Sequence, residues 1–165
     1  MNITLSQKEK TLLQDQKSHE ELCIEKYSKY ANQTQDSQLK QLFNTNEKAE
    51  RTHLDSINQL LSGSIPSMNS QGGQSGMSQQ SQGMQLNMNE QNPNPPITGA
   101  GLSDKDMCSD LLMSEKYVSG TYDTTIFECA DPRVRDVLNH IQKEEQKHGE
   151  AIFSYMQSRG MYNIQ

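Results

Sequence analysis

The stretch KEEQKHGEA, residues 143–151, decides the fold. Glu145 stands three residues before His148, and three residues on a helix make about one turn, so the two side chains share a face. The neighbouring positions say which face. Steps of four and three pass through Val134, Leu138, Ile141, Glu145, His148, Ile152 and Tyr155. That is a heptad-like apolar seam interrupted at one place by the pair, so the pair is expected to point inward. An unpaired carboxylate in a core is costly or is driven to neutralise. Something should therefore compensate it.

The same arrangement occurs earlier in the chain. Leu39, Phe43, Asn46, Glu50, His53, Ile57 and Leu60 form a second seam with the same interruption. A third reads Cys108, Leu111, Glu115, Val118, Tyr122, Ile126 and Cys129, and a first, less regular, Leu13, Glu20, Ile24, Tyr27 and Ala31. Glu20 and Glu115 are 95 residues apart, as are Tyr27 and Tyr122, Asp36 and Asp131, Glu50 and Glu145, and His53 and His148. One pattern, E-x6-Y-x22-E-x2-H, is thus written twice. Glutamate fills 12 of 165 positions, so a given histidine has about a 7% chance of one three residues before it. Two copies in register, each with a second glutamate 30 residues earlier, point to a duplicated helical hairpin.

Punctuation supports four helices. DSQLKQLF opens on Asp36, and DPRVRDVL opens on Asp131 followed by Pro132; both are N-cap patterns, with proline at a favoured first position. Residues 1–61 are expected to form one hairpin and residues 102–165 a second. Between them, residues 62–101 are rich in Gln, Gly, Ser, Met and Asn, with Pro93, Pro95 and Pro96 near the end. This segment shows neither helical nor strand periodicity and is expected to be a flexible linker that joins opposite ends of the bundle. It explains why only 32% of the chain is hydrophobic.

Composition narrows the function. The net charge is −6 and the 15 Lys and Arg are scattered, so the basic stripe that nucleic acid requires is missing. No run approaches the roughly 20 apolar residues of a membrane span. The opening MNITLSQKEK lacks the apolar run of a signal peptide, so synthesis on the cytoplasmic side is expected. Cys23, Cys108 and Cys129 form no CxxC and describe neither a disulfide framework nor a zinc site; partly buried thiols on helices are expected. His19, His140, Glu144 and Glu150 fall beside the seams and are expected at the surface.

The repeated pattern resembles the ferritin-like di-iron and di-manganese carboxylate proteins. In those, two helices each give one glutamate and two each give Glu-x-x-His, all projecting inward. The resemblance covers residues 5–61 and 102–160, and the E-x6-Y spacing is similar to that of rubrerythrin-type members. It implies an all-α, ferritin-like four-helix bundle holding two iron or two manganese ions. By position, Glu20 and Glu115 would be terminal ligands, Glu50 and Glu145 bridging carboxylates, and His53 and His148 one imidazole ligand each. Four carboxylates against two dications would balance the buried charge. Tyr27 and Tyr122 would either donate hydrogen bonds to the ligands or simply pack in the core.

A narrower resemblance comes from the second half. LSDKD, DLLMSEKY, DPRVRDVL, EEQKHG and YMQSRGMYN are similar to the coat F family of bacterial spore coat proteins. The resemblance implies synthesis in the mother-cell cytoplasm, deposition on the spore coat and a structural or protective role. The partners it implies are other spore coat proteins, with a homodimer as one open arrangement. A dimetal oxidoreductase acting on peroxide or dioxygen is the alternative that the ferritin-like resemblance implies.

Overall fold

The computed structural model describes residues 2–67 and 101–164. It contains four helices: α1 (Gln7–Gln33), α2 (Ser37–Leu61), α3 (Asp104–Glu128) and α4 (Pro132–Ser158). Each start has a local cause. At α1, the Ser6 hydroxyl accepts from Glu9 N while the Glu9 carboxylate accepts from Ser6 N, a reciprocal capping box. Glu9 also accepts from Ala130 N at 2.9 Å, tying the head of α1 to the turn between α3 and α4. Ser103 caps α3 through Asp106 N. The two expected aspartates cap their helices: Asp36 accepts from Leu39 N and Asp131 from Arg133 N, both at 2.9 Å, with Pro132 next.

The helices pair as two hairpins, α1 with α2 and α3 with α4, and the pairs pack through α1 on α3 and α2 on α4. Along α1 and α3 the partners run in opposite directions: Lys8 with Glu128, Gln16 with Thr125, Lys26 with Asp110 and Thr34 with Asp104. The two helices are therefore antiparallel. Ile3 N donates to Gly63 O beyond the end of α2, whereas Asp104 sits beside Thr34 at the far end of α1. Leu61 and Asp104 thus stand at opposite ends of a bundle whose 25-residue helices are about 38 Å long. The expected linker, residues 62–101, lies outside the described residues except for 62–67 and 101. Of these, Gly63 at φ +87° takes the left-handed turn that ends α2.

The seams face inward almost as the sequence predicts. All seven expected positions of α2 are buried, as are all seven of α4. The core includes Leu13, Tyr27, Leu39, Phe43, Ile57, Leu111, Tyr122, Leu138 and Ile152, all fully buried. In α3 the expectation needs one correction. Ile126 is only half-buried and Thr125 takes the inward place. Gln16 of α1 explains the exchange, because its amide donates to Thr125 Oγ1 at 2.9 Å and its carbonyl accepts from Thr121 Oγ1 at 3.1 Å. A polar layer thus replaces one apolar step of the seam. All three cysteines are free and buried.

Asp36 also pairs with Arg159 at the end of α4, at 2.8 Å. An exposed pair of this kind contributes little, so the cap should dominate. Asp36→Ala is expected to cost about 1 kcal/mol and Asp36→Asn markedly less. Urea midpoints of the two variants check this.

Candidate metal centre

The interruptions in the four seams lie at one level. Glu20 of α1, Glu50 and His53 of α2, Glu115 of α3, and Glu145 and His148 of α4 converge in the middle of the bundle. Glu20, Glu50 and Glu145 are fully buried, and the most accessible of the six, His148, is 7% exposed. They form two groups, Glu20–Glu50–His53–Glu145 and Glu50–Glu115–Glu145–His148. In each, one donor atom per residue lies within 4.8 Å of all the others. Glu50 and Glu145 belong to both groups.

Both histidines turn Nδ1 toward the centre. His53 Nδ1 is 3.0 Å from Glu50 Oε2, 2.9 Å from Glu145 Oε1 and 3.7 Å from Glu20 Oε2. His148 Nδ1 is 3.1 Å from Glu50 Oε1, 3.6 Å from Glu115 Oε1 and 3.8 Å from Glu145 Oε2. The two rings stack, with centroids 5.7 Å apart. Behind the carboxylates, the tyrosines cross between the halves. Tyr27 of α1 donates its hydroxyl hydrogen to Glu115 of α3, and Tyr122 of α3 donates to Glu20 of α1. Asn46 Nδ2 in turn donates to the Tyr27 oxygen at 3.1 Å.

Four buried oxygens accept no hydrogen bond among the described residues: Glu20 Oε2, Glu115 Oε2 and both oxygens of Glu145. Glu145 Oε1 is near His53 Nδ1 but without the alignment of a hydrogen bond. Burial without partners is expensive, and the electrostatics reflect it. Burial, with the neighbouring Glu145 and Glu50 charges, pushes Glu20 up to about 8 and Glu115 up to about 9. Burial also acts upward on Glu50, but hydrogen bonds from His148 and His53 outweigh it and hold Glu50 below the ordinary carboxylate range. Glu145 is also held low: burial acts upward, but the His148 and His53 rings beside it, at 3.8 and 2.9 Å, outweigh it. Burial opposes charging of the imidazoles, yet the carboxylates around them win, and His148 rises to about 11. His53 is likewise raised, with Glu144 the foremost carboxylate. Two neutral carboxyls, two carboxylates and two imidazolium rings sum to zero charge. Two dications among four carboxylates and two neutral imidazoles would also sum to zero. The donor set, hard oxygens with two imidazoles, fits divalent iron or manganese.

Two residues, Glu144 and His19, depart from the sequence reading. Glu144 was expected at the surface, but its Oε2 lies 3.4 Å from His53 Nε2. Its long side chain bends from the edge of α4 across to α2, and His53 draws its carboxyl down to about 2. A carboxylate behind an imidazole fixes the ring's orientation and leaves the opposite nitrogen for a ligand role. The 95-residue counterpart of Glu144 is Ala49, so the duplicated pattern held no signal for it. His140 is exposed, as expected. His19 is half-buried, with its ring edge-on to Tyr117.

Comparison with known proteins gives two matches. Residues 103–165 match the Coat F domain family, a stretch that carries Glu115, Glu145 and His148 but not Glu20, Glu50 or His53. Over 82 residues, 49% of this chain and 74% of the relative, the chain is 28% identical to the uncharacterized protein YusN of Bacillus subtilis (strain 168). No solved structure matches significantly. Among the described residues, no helix is long and apolar enough to cross a membrane.

Proposed function

We propose that this protein is a structural or protective component of the bacterial spore coat whose helical bundle binds two divalent iron or manganese ions. The coat assignment draws on the match of α3 and α4 to the Coat F domain. The metal assignment draws on one observation: six buried donors from four helices fall into two groups that share Glu50 and Glu145, while four of their oxygens accept no hydrogen bond among the described residues. In this reading Glu20, Glu50, His53, Glu115, Glu145 and His148 would hold the two ions, with Glu20 and Glu115 as terminal ligands, Glu50 and Glu145 shared between the positions, and His53 and His148 offering Nδ1. Tyr27 and Tyr122 orient the terminal glutamates. Other coat proteins are the partners of the assembled protein, and a homodimer is compatible with the role.

The same cluster supports a second reading, a ferritin-like dimetal oxidoreductase acting on peroxide or dioxygen. What favours it is a solvent-facing groove that reaches Glu115 and Glu145, since a purely structural centre needs no approach from solvent. Bound iron or manganese would supply Lewis acidity and one-electron chemistry.

Elemental analysis of protein purified without chelator tests the proposal. About two equivalents of iron or manganese per chain are expected, as the dimetal carboxylate pattern requires. A divalent ion that binds the folded state should also raise the melting temperature. If no divalent ion is retained and none shifts the melting curve, the metal assignment fails and only the coat role stands. Peroxide consumption by the loaded protein, absent after chelation, would decide for the second reading.

A further inference from the structure

A groove of about 550 Å³ lies between α3 and α4. Leu112 and Phe153 give it apolar walls, with Tyr162 packed edge-on against Phe153; Lys116 and Glu150 line it with charge, and Glu115 and Glu145 of the cluster belong to its lining. Gly149 lines it, one residue beyond His148. A glycine inside a helix has a cost, because it gives up more backbone freedom on folding than alanine does. Neither usual reason for a glycine applies here. Gly149 does not occupy the left-handed region, and an added Cβ would lie 3.7 Å from Leu112 Cδ1 and 4.0 Å from Glu115 Cβ, in ordinary contact. The backbone does not need this glycine. What its missing side chain does is leave the groove open above Glu115.

At the same register the duplicated half carries larger side chains. The counterparts 95 residues earlier are Leu54 for Gly149 and Ile24 for Ser119, another groove residue. Leu54 is half-buried and Ile24 buried. The residual exposure follows suit: His148 7% against His53 2%, and Glu115 2% against Glu20 0%.

We infer that the groove between α3 and α4 is the entrance through which hydrated divalent ions and other small polar solutes reach the buried cluster, on the Glu115–His148 side, and that Gly149 keeps it open. This rests on the metal reading above. The two ion positions are then unequal: one exchanges directly with solvent, the other only through the first.

The test compares Gly149→Ala, Gly149→Leu and, as a control at the related position, Leu54→Ala. Gly149→Ala should raise the melting temperature by about 2–4 °C, since it removes the glycine cost and adds no clash. Gly149→Leu should slow both Mn²⁺ uptake and Mn²⁺ release to EDTA by about tenfold or more, equivalent to a barrier ~1.4 kcal/mol higher. The equilibrium affinity should stay within a few-fold, because no ligand is touched. Leu54→Ala should slow neither rate, since it only removes bulk at the related position. Equal rates in wild type and Gly149→Leu would overturn the inference while leaving the metal reading intact. If the wild type binds no metal, the proposed function fails, and the entrance is tested by carboxyl labelling with a water-soluble carbodiimide and a small amine. Peptide mass spectrometry should then find Glu115 labelled faster than Glu20 in the wild type, with the difference lost in Gly149→Leu. Equal labelling of the two in the wild type would overturn the entrance on its own terms.

Discussion

Glu145→Ala is expected to abolish binding of both divalent ions, whereas Glu20→Ala should weaken one position and spare the other. The difference follows from membership. Glu145 belongs to both donor groups, Glu20 to only one. Loss of a partner behind a ligand already weakens a metal site by about 10–100-fold, so loss of a shared ligand should exceed that range. Folding should suffer less than binding. Neither Glu145 oxygen accepts a hydrogen bond among the described residues, so its removal strands no donor, although the neighbouring His53 and His148 rings lose a counter-ion. Glu145→Gln keeps the volume and removes the charge, and should bind as poorly as the alanine variant. Equilibrium dialysis against Mn²⁺ reads the stoichiometry, and urea unfolding under EDTA reads the stability. If Glu145→Ala retains two ions, the shared-ligand arrangement is wrong. If Glu20→Ala loses both together, the two positions do not fill independently.

The second expected result is a metal-free protein that loses stability as pH rises from 6 to 9. The ordinary carboxylate value for Glu20 and Glu115 is 4.5, and in the fold they titrate near 8 and 9. Between these limits the folded chain holds protons that the unfolded chain has released, so stability falls as pH rises through that window. The imidazoles act in the same direction. His148 moves from 6.5 to about 11, and His53 is raised as well; the stability they add is fully present below 6.5 and is lost as pH rises through their folded values. Glu50 and Glu145 are held low, and their contribution is lost only below the ordinary 4.5. The optimum should therefore fall near pH 4.5–5. Each extra proton held by the folded state corresponds to a slope of about 1.4 kcal/mol per pH unit, so the two carboxyls alone should give a loss on the order of 5 kcal/mol between pH 6 and 8, to which the imidazoles add. Metal should invert the trend. Ligands must deprotonate to bind, so loading becomes more favourable at higher pH and releases protons, here from Glu20, Glu115, His53 and His148. Urea titrations at four pH values, with EDTA and then with Mn²⁺, read both arms. A flat or rising profile under EDTA would show that the cluster is not protonated in the fold.

Much of this was legible in the sequence, for a physical reason. A helix buries a periodic stripe, so a Glu-x-x-His pair inside two apolar seams, in register 95 residues apart, could be placed inward before any coordinates. Asp36 and Asp131 announced the helix starts because capping is a local interaction between a side chain and the next turn. What was not legible depends on partners distant in sequence. Thr125 displaces Ile126 from the seam because Gln16 waits opposite it on α1. Glu144 reaches His53 because α4 crosses α2 at that level, and no periodicity marks a long side chain that bends off its own face. Gly149 read as part of a motif. Its role as an absence of side chain needs Leu112 and Phe153 around it, and Leu54 at the related position, to become visible. For the phenols of Tyr27 and Tyr122 the sequence pattern is compatible with either packing or hydrogen bonding, and the fold gives each an acceptor on the opposite hairpin.

That exchange of donors has a bearing on cooperativity. Unfolding of α3 and α4 alone would strip Glu20 of its donor and leave the Tyr27 hydroxyl without its acceptor. Unfolding of α1 and α2 would do the same to Glu115 and Tyr122. Exchanging such a hydrogen bond for water forgoes about 0.5–1.5 kcal/mol, more where the partner is charged, and here every partial opening forgoes both crossed bonds together with the apolar contacts between the hairpins. The half-open states are therefore lifted in energy from both sides, and the two hairpins should melt as one unit. Slow-exchanging amides of α1 and α3 should share a single opening free energy, equal to that of the whole bundle.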